Sequence, residues 1–169
     1  MQNQLRERIY ASQRFAGQVQ RYHAWPTLTR QTVAEHCWRV ATLYCELFGV
    51  PRAEVLYYCL HHDSGELFAG DLPFGAKARV SGMKEAMAEA ETLGLQRLKI
   101  ELPELSSDEA VRVKICDLLE MWEFGYQETL MGNTYALPIV RDTGALAVKL
   151  AKEICDTLKV ENFMKGAMR

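Results

Sequence analysis

The sequence contains few residues of the kinds that cross-link a fold, interrupt it or anchor it in a membrane. It has 5 prolines and 5 cysteines in 169 residues, and no two cysteines form a CxxC pair. An odd number of widely spaced cysteines is typical of buried, reduced thiols in a cytosolic protein. No apolar run reaches the roughly 18 residues of a membrane span, and residues 1–14 are too polar for a secretory signal peptide. We therefore expect no membrane partner and a cytoplasmic location.

Neither sign of charge dominates. The chain has 20 Lys and Arg against 22 Asp and Glu, a formal net charge of −2. A protein that binds nucleic-acid polymers generally needs a basic face, so this class of partner is not expected. Apolar residues make up 49% and charged residues 25%, which excludes intrinsic disorder. The length predicts one domain over 1–169 with an ordinary hydrophobic core.

Glycine and proline punctuate the chain at wide intervals, and the segments between them have helical periodicity. No strand-like alternation of useful length occurs. We therefore predict an all-α fold, a single bundle of about six helices. The predicted helices cover 3–19, 33–48, 51–63, 83–99, 107–131 and 138–158, with a loop over 64–82 and a frayed tail after 162.

Two of these helices carry a capping box at their N-terminus. Thr32 is followed three residues later by Glu35, and Ser106 is followed in the same way by Glu109. In such a pair each side chain satisfies a backbone N–H that the first helical turn leaves without a partner. The first box starts the second predicted helix at Val33 and places His36 in its first full turn.

Histidine is scarce, and two of the 4 histidines lie beside acids. Glu35-His36 is followed by His62-Asp63, and Asp117 comes later within an apolar stretch of the long helix. Imidazole and carboxylate together suit divalent Mn, Fe, Co or Zn. A lone histidine is more often a packed core or surface residue. A buried Asp117 is costly without a partner, however, and a cation shared with the histidines would supply one.

These residues also carry a resemblance to a known family. The ordered H…HD…D set resembles the HD-domain metal-dependent phosphohydrolases. Five segments between about 25 and 133 are similar to YfbR-type 5′-deoxynucleotidases and, equally, to phage DatZ-type dATP triphosphohydrolases. They are Trp25-Pro26, Val33-Ala34-Glu35-His36, His62-Asp63-x-x-Glu66, Gly70-Asp71-Leu72-Pro73-x-x-x-Lys77 and Val113-Lys114-x-x-Asp117.

The resemblance implies a divalent metal cofactor, and its identity is left open among Co, Mn, Zn and Mg. The matching metal ligands are His36, His62, Asp63 and Asp117. Four protein ligands would close a tetrahedral zinc site, so we expect a larger coordination shell with room for water and a phosphate oxygen. Glu66 matches a general acid/base, with a solvated glutamate at a helix end as the alternative interpretation.

The resemblance also implies contacts to a nucleotide. Asp71 matches a residue near the sugar and the catalytic centre, although an aspartate in a glycine-flanked turn is an alternative. Lys77 and Lys114 match phosphate contacts. Pro73, in the same motif as Lys77, is a further candidate for substrate binding. Trp25 matches a residue that borders the base, with a core tryptophan as the alternative.

One departure from the family pattern concerns phosphate binding. The basic residue that usually precedes the Trp-Pro pair is replaced here by Ala24. Arg21, one turn earlier, and Arg30, in the following loop, are the two residues that could replace it. This leaves the number of phosphates on the substrate open.

The resemblance implies a deoxynucleotide substrate, cleaved between its 5′ oxygen and the α-phosphorus. Because the chain is short, like the phage form, the first hypothesis is a dATP triphosphohydrolase that yields deoxyadenosine and triphosphate. The alternative is a 5′-deoxynucleotidase acting on monophosphates, and a third hypothesis is a non-catalytic nucleotide-binding HD module. A further hypothesis is a helical interaction protein without metal. If a phage encodes the chain, the expected location is the host cytoplasm. Apolar residues on several helices, and assembly of the relatives, predict a homo-oligomer, either a dimer or a hexamer.

Overall fold

The computed structural model describes residues 12–71 and 80–168, and within them the fold is all-α as predicted. A two-residue strand β1 (Gln20–Arg21) pairs antiparallel with β2 (Gln31–Thr32), with Gln20 opposite Thr32. The helices are α1 (Gln13–Ala16), α2 (Val33–Phe48), α3 (Ala53–His61), α4 (Glu66–Ala69), α5 (Met83–Leu98), α6 (Ser107–Leu130), α7 (Leu137–Glu153) and α8 (Thr157–Ala167), with a 3-10 turn at Thr134–Ala136.

The chain divides into two compact units. The first takes its described residues from Met1–Pro26, Arg30–Cys37 and Leu60–Leu102, and the second from Thr27–Thr29, Trp38–Cys59 and Pro103–Arg169. Helices α2 and α3 each contribute residues to both units. The prediction of one domain stays a prediction.

The second unit has the larger hydrophobic core, and α6 runs through it. This helix is 24 residues long, and its core-facing side chains are fully or almost fully buried. They pack with residues of α2, α3, α7 and α8, among them Val40, Val55, Ala147 and Val160. Each fully buried Val, Leu or Ile side chain of this core contributes about 1.5–3 kcal/mol of transfer free energy. The core therefore holds α6 as a firm support for the polar side chains that it carries.

Both predicted capping boxes are confirmed. Thr32 N–H donates to Glu35 Oε2 at 2.7 Å, and Glu35 N–H donates to Thr32 Oγ1 at 3.2 Å. The Ser106–Glu109 pair makes the same two bonds at 2.8 and 3.3 Å. Helix α2 therefore begins at Val33 as predicted, and Gly49, with φ +83°, ends it in a left-handed conformation.

In the first unit, α5 passes very close to the segment before α4. A Cβ on Gly65 would lie 2.4 Å from the Glu91 carbonyl oxygen, and one on Gly94 would lie 2.5 Å from the Gly65 carbonyl oxygen. Real Cβ atoms do not approach oxygen so closely, so the two backbones touch only because both residues are glycine. This contact holds the start of α4, where Glu66 lies.

Several predicted boundaries are wrong. The helix predicted over 51–63 begins at Ala53 and ends at His61, and the predicted loop after it contains the short helix α4. The first predicted helix is reduced, in the part of the chain that the structure describes, to Gln13–Ala16. The tail predicted to fray after 162 is instead helical to Ala167.

The last predicted helix is in fact two, α7 and α8, because the chain turns at Cys155. Cys155 has φ +59°, its N–H points to the Lys152 carbonyl at 3.5 Å, and the Asp156 N–H donates to the Ala151 carbonyl at 2.9 Å. This pair of bonds is a Schellman motif. Its left-handed position usually holds glycine, so a cysteine there gives no helix-ending signal in the sequence.

All five cysteines are free thiols. Cys37, Cys59 and Cys116 are buried, Cys45 is partly buried and Cys155 is exposed. Burial raises the pKa of the Cys59 thiol to about 12. The prediction of reduced, mostly buried thiols is consistent with this arrangement.

No helix among the described residues has both the length and the apolar character required to cross a membrane.

Candidate metal centre and active site

Two histidines and an aspartate lie together in the first unit. His36 is fully buried in the first turn of α2, and His62 and Asp63 follow the last residue of α3. His36 Nε2 lies 3.4 Å from Asp63 Oδ2, and His62 Nε2 lies 3.4 Å from Asp63 Oδ1. The imidazole centroids are 5.4 Å apart. The capping box fixes the start of α2 and therefore the position of His36 in this cluster.

Arg21 joins the cluster from β1. Its Nη1 donates to Asp63 Oδ2 at 2.7 Å, and its side chain is only 6% exposed. A buried guanidinium is normally found paired with a carboxylate, because an isolated charge is costly to bury. The sequence predicted Arg21 as a phosphate contact, and the structure places it on a predicted metal ligand.

Asp117 lies in the middle of α6 and is buried. Lys114, one turn earlier, donates a hydrogen bond from Nζ to Asp117 Oδ2 at 2.5 Å, while 56% of its side chain remains exposed. His36, His62 and Asp117 each offer one ligand atom, and these atoms all lie within 4.8 Å of one another. Three of the four metal ligands predicted from the sequence therefore form a group that could hold a metal ion.

The chemistry of this group fits a divalent cation. Neutral imidazole nitrogens bind Mn, Fe, Co and Zn, and carboxylate oxygens add affinity for the harder ions among them. The carboxylate of this group, Asp117, offers negative charge that a cation would offset. The predicted cofactor, a divalent metal, agrees with these donors.

Glu66 is the first residue of α4, and it is buried. Its Oε2 is enclosed and makes no hydrogen bond within the described part of the chain. Burial, with the nearby negative charge of Asp63, raises the pKa of Glu66 to about 9. Glu66 does not continue the helix that precedes His62, because α3 ends at His61. A turn brings Glu66 inward instead, with its N–H on the Asp63 carbonyl at 3.0 Å.

Asp71 contacts the backbone of a tight turn. Its Oδ2 accepts the Tyr22 N–H at 2.7 Å, and Tyr22 has φ +56°, which is unusual for a bulky residue. The Trp25 N–H donates in turn to the Tyr22 carbonyl at 2.9 Å. Burial raises the pKa of Asp71. Asp71 thus stabilises the turn that leads to Trp25. This contact is structural, in line with the alternative interpretation of Asp71 as a turn aspartate.

The remaining predicted substrate residues differ in what the structure says of them. Pro73 and Lys77 lie outside the described residues. Trp25 is partly buried, and Ala24 beside it is exposed. The contact of Trp25 with a base stays a prediction.

Sequence reasoning missed Glu128, a fully buried carboxylate near the end of α6. It accepts the N–H groups of Leu28 and Thr29 at 2.7 and 2.8 Å, the Thr29 hydroxyl at 2.5 Å, and the Asn133 side-chain amide at 2.7 Å. The only signal in the sequence was the Gly132-Asn133 pair that follows the helix. Such a pair marks a helix end and does not by itself indicate a buried acid.

The fold and the cluster define a class, the all-α HD-type hydrolases that use histidine and aspartate to hold a divalent metal. The family model described as 5′-deoxynucleotidase YfbR-like matches residues 13–113, which is more than half of the chain. The chain therefore belongs to the YfbR-like family and is a metal-dependent phosphohydrolase. The matched range contains His36, His62 and Asp63, whereas Asp117 lies just beyond it. No curated protein matches the chain.

Proposed function

We propose that this protein is a 5′-deoxynucleotidase, which hydrolyses deoxynucleoside 5′-monophosphates to deoxynucleosides and phosphate. The observation that carries the proposal is the family match over 13–113, together with a His–His–Asp group suited to a metal. The family supports this alternative better than the first hypothesis, a dATP triphosphohydrolase. Both reactions break the same bond, so a direct substrate comparison has to separate them.

The proposed metal ligands are His36, His62, Asp63 and Asp117. A divalent cation held there would polarise a phosphoryl oxygen and lower the pKa of water. Asp63 already lies 3.4 Å from both imidazoles, which supports its inclusion in the set. Arg21 and Lys114 each bond to one of the two aspartates, and these contacts limit the ways in which both carboxylates can turn.

Glu66 is the proposed general acid. With a pKa of about 9 its carboxyl carries a proton at neutral pH, as proton donation requires. When water adds to phosphorus and the bond from phosphorus to the 5′ oxygen breaks, Glu66 donates that proton to the 5′ oxygen. The leaving group departs as the neutral 5′-hydroxyl of the deoxynucleoside, and a proton from the attacking water restores the carboxyl.

Positive charge for the phosphate is assigned to Lys114, Lys77 and Arg21. Lys114 lies beside Asp117 and keeps more than half of its side chain exposed, so its ammonium group is accessible to a ligand. Arg21 supplies a guanidinium in a chain that has Ala24 where relatives carry a basic residue. Trp25 and Pro73 are proposed to border the base and the sugar, with Asp71 close to the sugar.

The test compares dAMP with dATP in the presence of Mn²⁺ or Co²⁺. We expect phosphate from dAMP and no free triphosphate from dATP, with AMP run in parallel to measure the preference for deoxyribose. Triphosphate released from dATP would support the first hypothesis instead. Metal binding without turnover of either nucleotide would support the non-catalytic module.

A further inference from the structure

Glu128 is a buried acid whose partners lie mostly in one loop. Its Oε1 accepts both the N–H and the hydroxyl of Thr29, and its Oε2 accepts the Leu28 N–H and the Asn133 amide. Burial acts to raise the pKa of Glu128, but these hydrogen bonds outweigh it and lower the pKa. The group is therefore an ionised carboxylate with all four of these donors directed at it, a strongly bonded arrangement.

The loop that Glu128 holds, residues 27–30, is mostly exposed. Residues 27–30 form neither helix nor strand, and Leu28 is 63% exposed. Surface loops without buried side chains are normally mobile. The charge-assisted bonds to the Leu28 and Thr29 amides thus supply much of the order of this segment.

The carboxylate itself is held firmly from its other side. Gly132 adopts φ +96°, which lets the chain reverse after α6 so that the Asn133 N–H reaches the Glu128 carbonyl at 2.9 Å. The Asn133 side chain, also buried, bonds Glu128 Oε2. A side chain fixed in this way gives its partners a fixed position, because its own rotamer cannot change without breaking these bonds.

The held loop follows directly on Trp25-Pro26. Proline has a nearly fixed φ, so the position of 27–29 constrains the residue before it more than an ordinary linker would. At its other end the same segment is held by Asp71, through the Tyr22 N–H, and by the turn from Tyr22 to Trp25. The segment 22–29 is therefore bonded to a carboxylate near each end.

We propose that Glu128 is a positioning residue for nucleotide binding, which sets the orientation of Trp25 through the backbone of residues 27–29. This inference rests on the proposed function, because it assumes that Trp25 borders the base. Glu128 is not assigned any contact with substrate or metal. Its loss should weaken nucleotide binding and leave the chemical step unchanged.

The test compares Glu128→Gln with Asp156→Asn. The first change replaces one of the two acceptor oxygens by an NH2 group, which donates and cannot accept. Either the Leu28 N–H or the two Thr29 donors therefore lose their acceptor. The second alters another buried carboxylate, which pairs with Arg112 and Lys159 at the start of α8. It therefore controls for a general loss of stability.

For Glu128→Gln we expect about a tenfold rise in the Kd and KM for dAMP with Mn²⁺, and an unchanged kcat. Hydrogen exchange should accelerate in the peptide covering 22–30. Asp156→Asn should leave the Kd, the KM and the exchange of that peptide as in the wild type, whatever its melting temperature.

Three results would overturn the inference. They are an unchanged Kd in Glu128→Gln, an equal rise in Asp156→Asn, and a loss of kcat at unchanged KM. Failure of the proposed function has a different signature, since wild-type protein would then neither bind nor hydrolyse dAMP, and the inference would fail with it. Leu28→Ala, which keeps the backbone amide, should bind dAMP like the wild type; a tenfold loss there would assign the effect to the leucine side chain.

Discussion

The side chain of Glu66 is buried, its pKa is raised, and its Oε2 makes no hydrogen bond to the described residues. Replacing it by Gln keeps the shape and removes the transferable proton. We expect Glu66→Gln to lose about 10²- to 10⁴-fold in the rate of dAMP hydrolysis, the range typical of general acid catalysis. Steady-state kinetics measures this loss, and Mn²⁺ titration followed by calorimetry should show unchanged metal affinity. Wild-type turnover in the variant would remove the assignment of Glu66 as the acid.

The same residue predicts how stability depends on pH in metal-free protein. The pKa of Glu66 is about 9 when folded, against an ordinary value of 4.5. A group whose pKa is raised on folding contributes stability that is complete below the lower value and is lost as pH rises through the higher one. The melting temperature of Glu66→Gln relative to wild type should therefore increase between pH 5 and pH 9. A constant difference, measured in the presence of chelator, would contradict the raised pKa.

At the residue scale, the types of side chain carry the prediction of the metal site. The sequence predicts His36, His62 and Asp117 as metal ligands because imidazole and carboxylate together suit a divalent ion. The structure brings one donor atom of each within 4.8 Å of the others, and metal binding by these residues stays a prediction. Glu128 was missed because three of its four donors belong to residues about 100 positions earlier in the chain, and two of these three are backbone amides. The contact of Arg21 with Asp63 could not be predicted, because the two residues lie 42 positions apart in the chain and only the fold brings them together.

At the scale of elements, the contact between the start of α4 and α5 makes a prediction with a matched control. In Gly94→Ala the new methyl would lie 2.5 Å from the Gly65 carbonyl, so α5 has to move. We expect a loss of about 1–3 kcal/mol in the free energy of unfolding, although alanine favours a helix by about 1 kcal/mol. Hydrolysis should fall as well, because Gly65 precedes Glu66.

Gly166 is the control for this steric argument. It lies in α8, and a Cβ there would meet nothing within 4 Å. Gly166→Ala should therefore keep or slightly raise stability, by up to about 1 kcal/mol. Urea denaturation measures the free energy of unfolding of both variants. Equal stabilisation of the two would contradict the steric argument, because it would show that α5 can move away from Gly65 at no cost.

Helix starts could be predicted more accurately than helix ends. The pairs Thr32–Glu35 and Ser106–Glu109 begin helices where expected. A capping box depends on only two side chains three residues apart, so it can be recognised in the sequence. The Schellman turn at Cys155 and the left-handed Lys99 end helices without glycine. Tertiary packing imposes these conformations on residues whose own preference is different.

At the scale of the whole molecule, metal binding should stabilise the fold. An ion that binds only the native state adds about 2.7 kcal/mol at 100 times its Kd, which for a domain of this size corresponds to several degrees in Tm. We expect Mn²⁺ added to chelator-treated protein to raise the Tm by that amount. His62→Ala should abolish the shift, whereas His23→Ala, which alters an exposed histidine, should retain it. A shift that persists in His62→Ala would place the ion elsewhere.

The predicted homo-oligomer is also a property of the whole molecule. Large apolar side chains are exposed near the end of α6 and after it, which is typical of an interaction surface. They are Leu130, Met131, Tyr135 and Leu137. Light scattering should give a mass that is a multiple of 19.3 kDa. A mass equal to that of one chain would contradict the prediction.

The fold class could be predicted because helical periodicity and sparse proline extend over most of the chain, so local errors do not change the result. The division into two compact units could not be predicted. It depends on contacts between segments that are distant in sequence, such as Thr27–Thr29 and α6. The family match covers 13–113, a range that includes the segments from Trp25 to Asp71 and ends before Asp117.

The arrangement of thiols has a practical consequence for studying this enzyme in solution. Cys155 is exposed in the turn between α7 and α8, whereas Cys37, Cys59 and Cys116 are buried and the pKa of each is raised by burial. Maleimide reagents attack the thiolate, so the folded chain should accept its first fluorophore at Cys155 and accept further label only slowly. A dye attached there would report the tumbling of the native particle without any engineered cysteine.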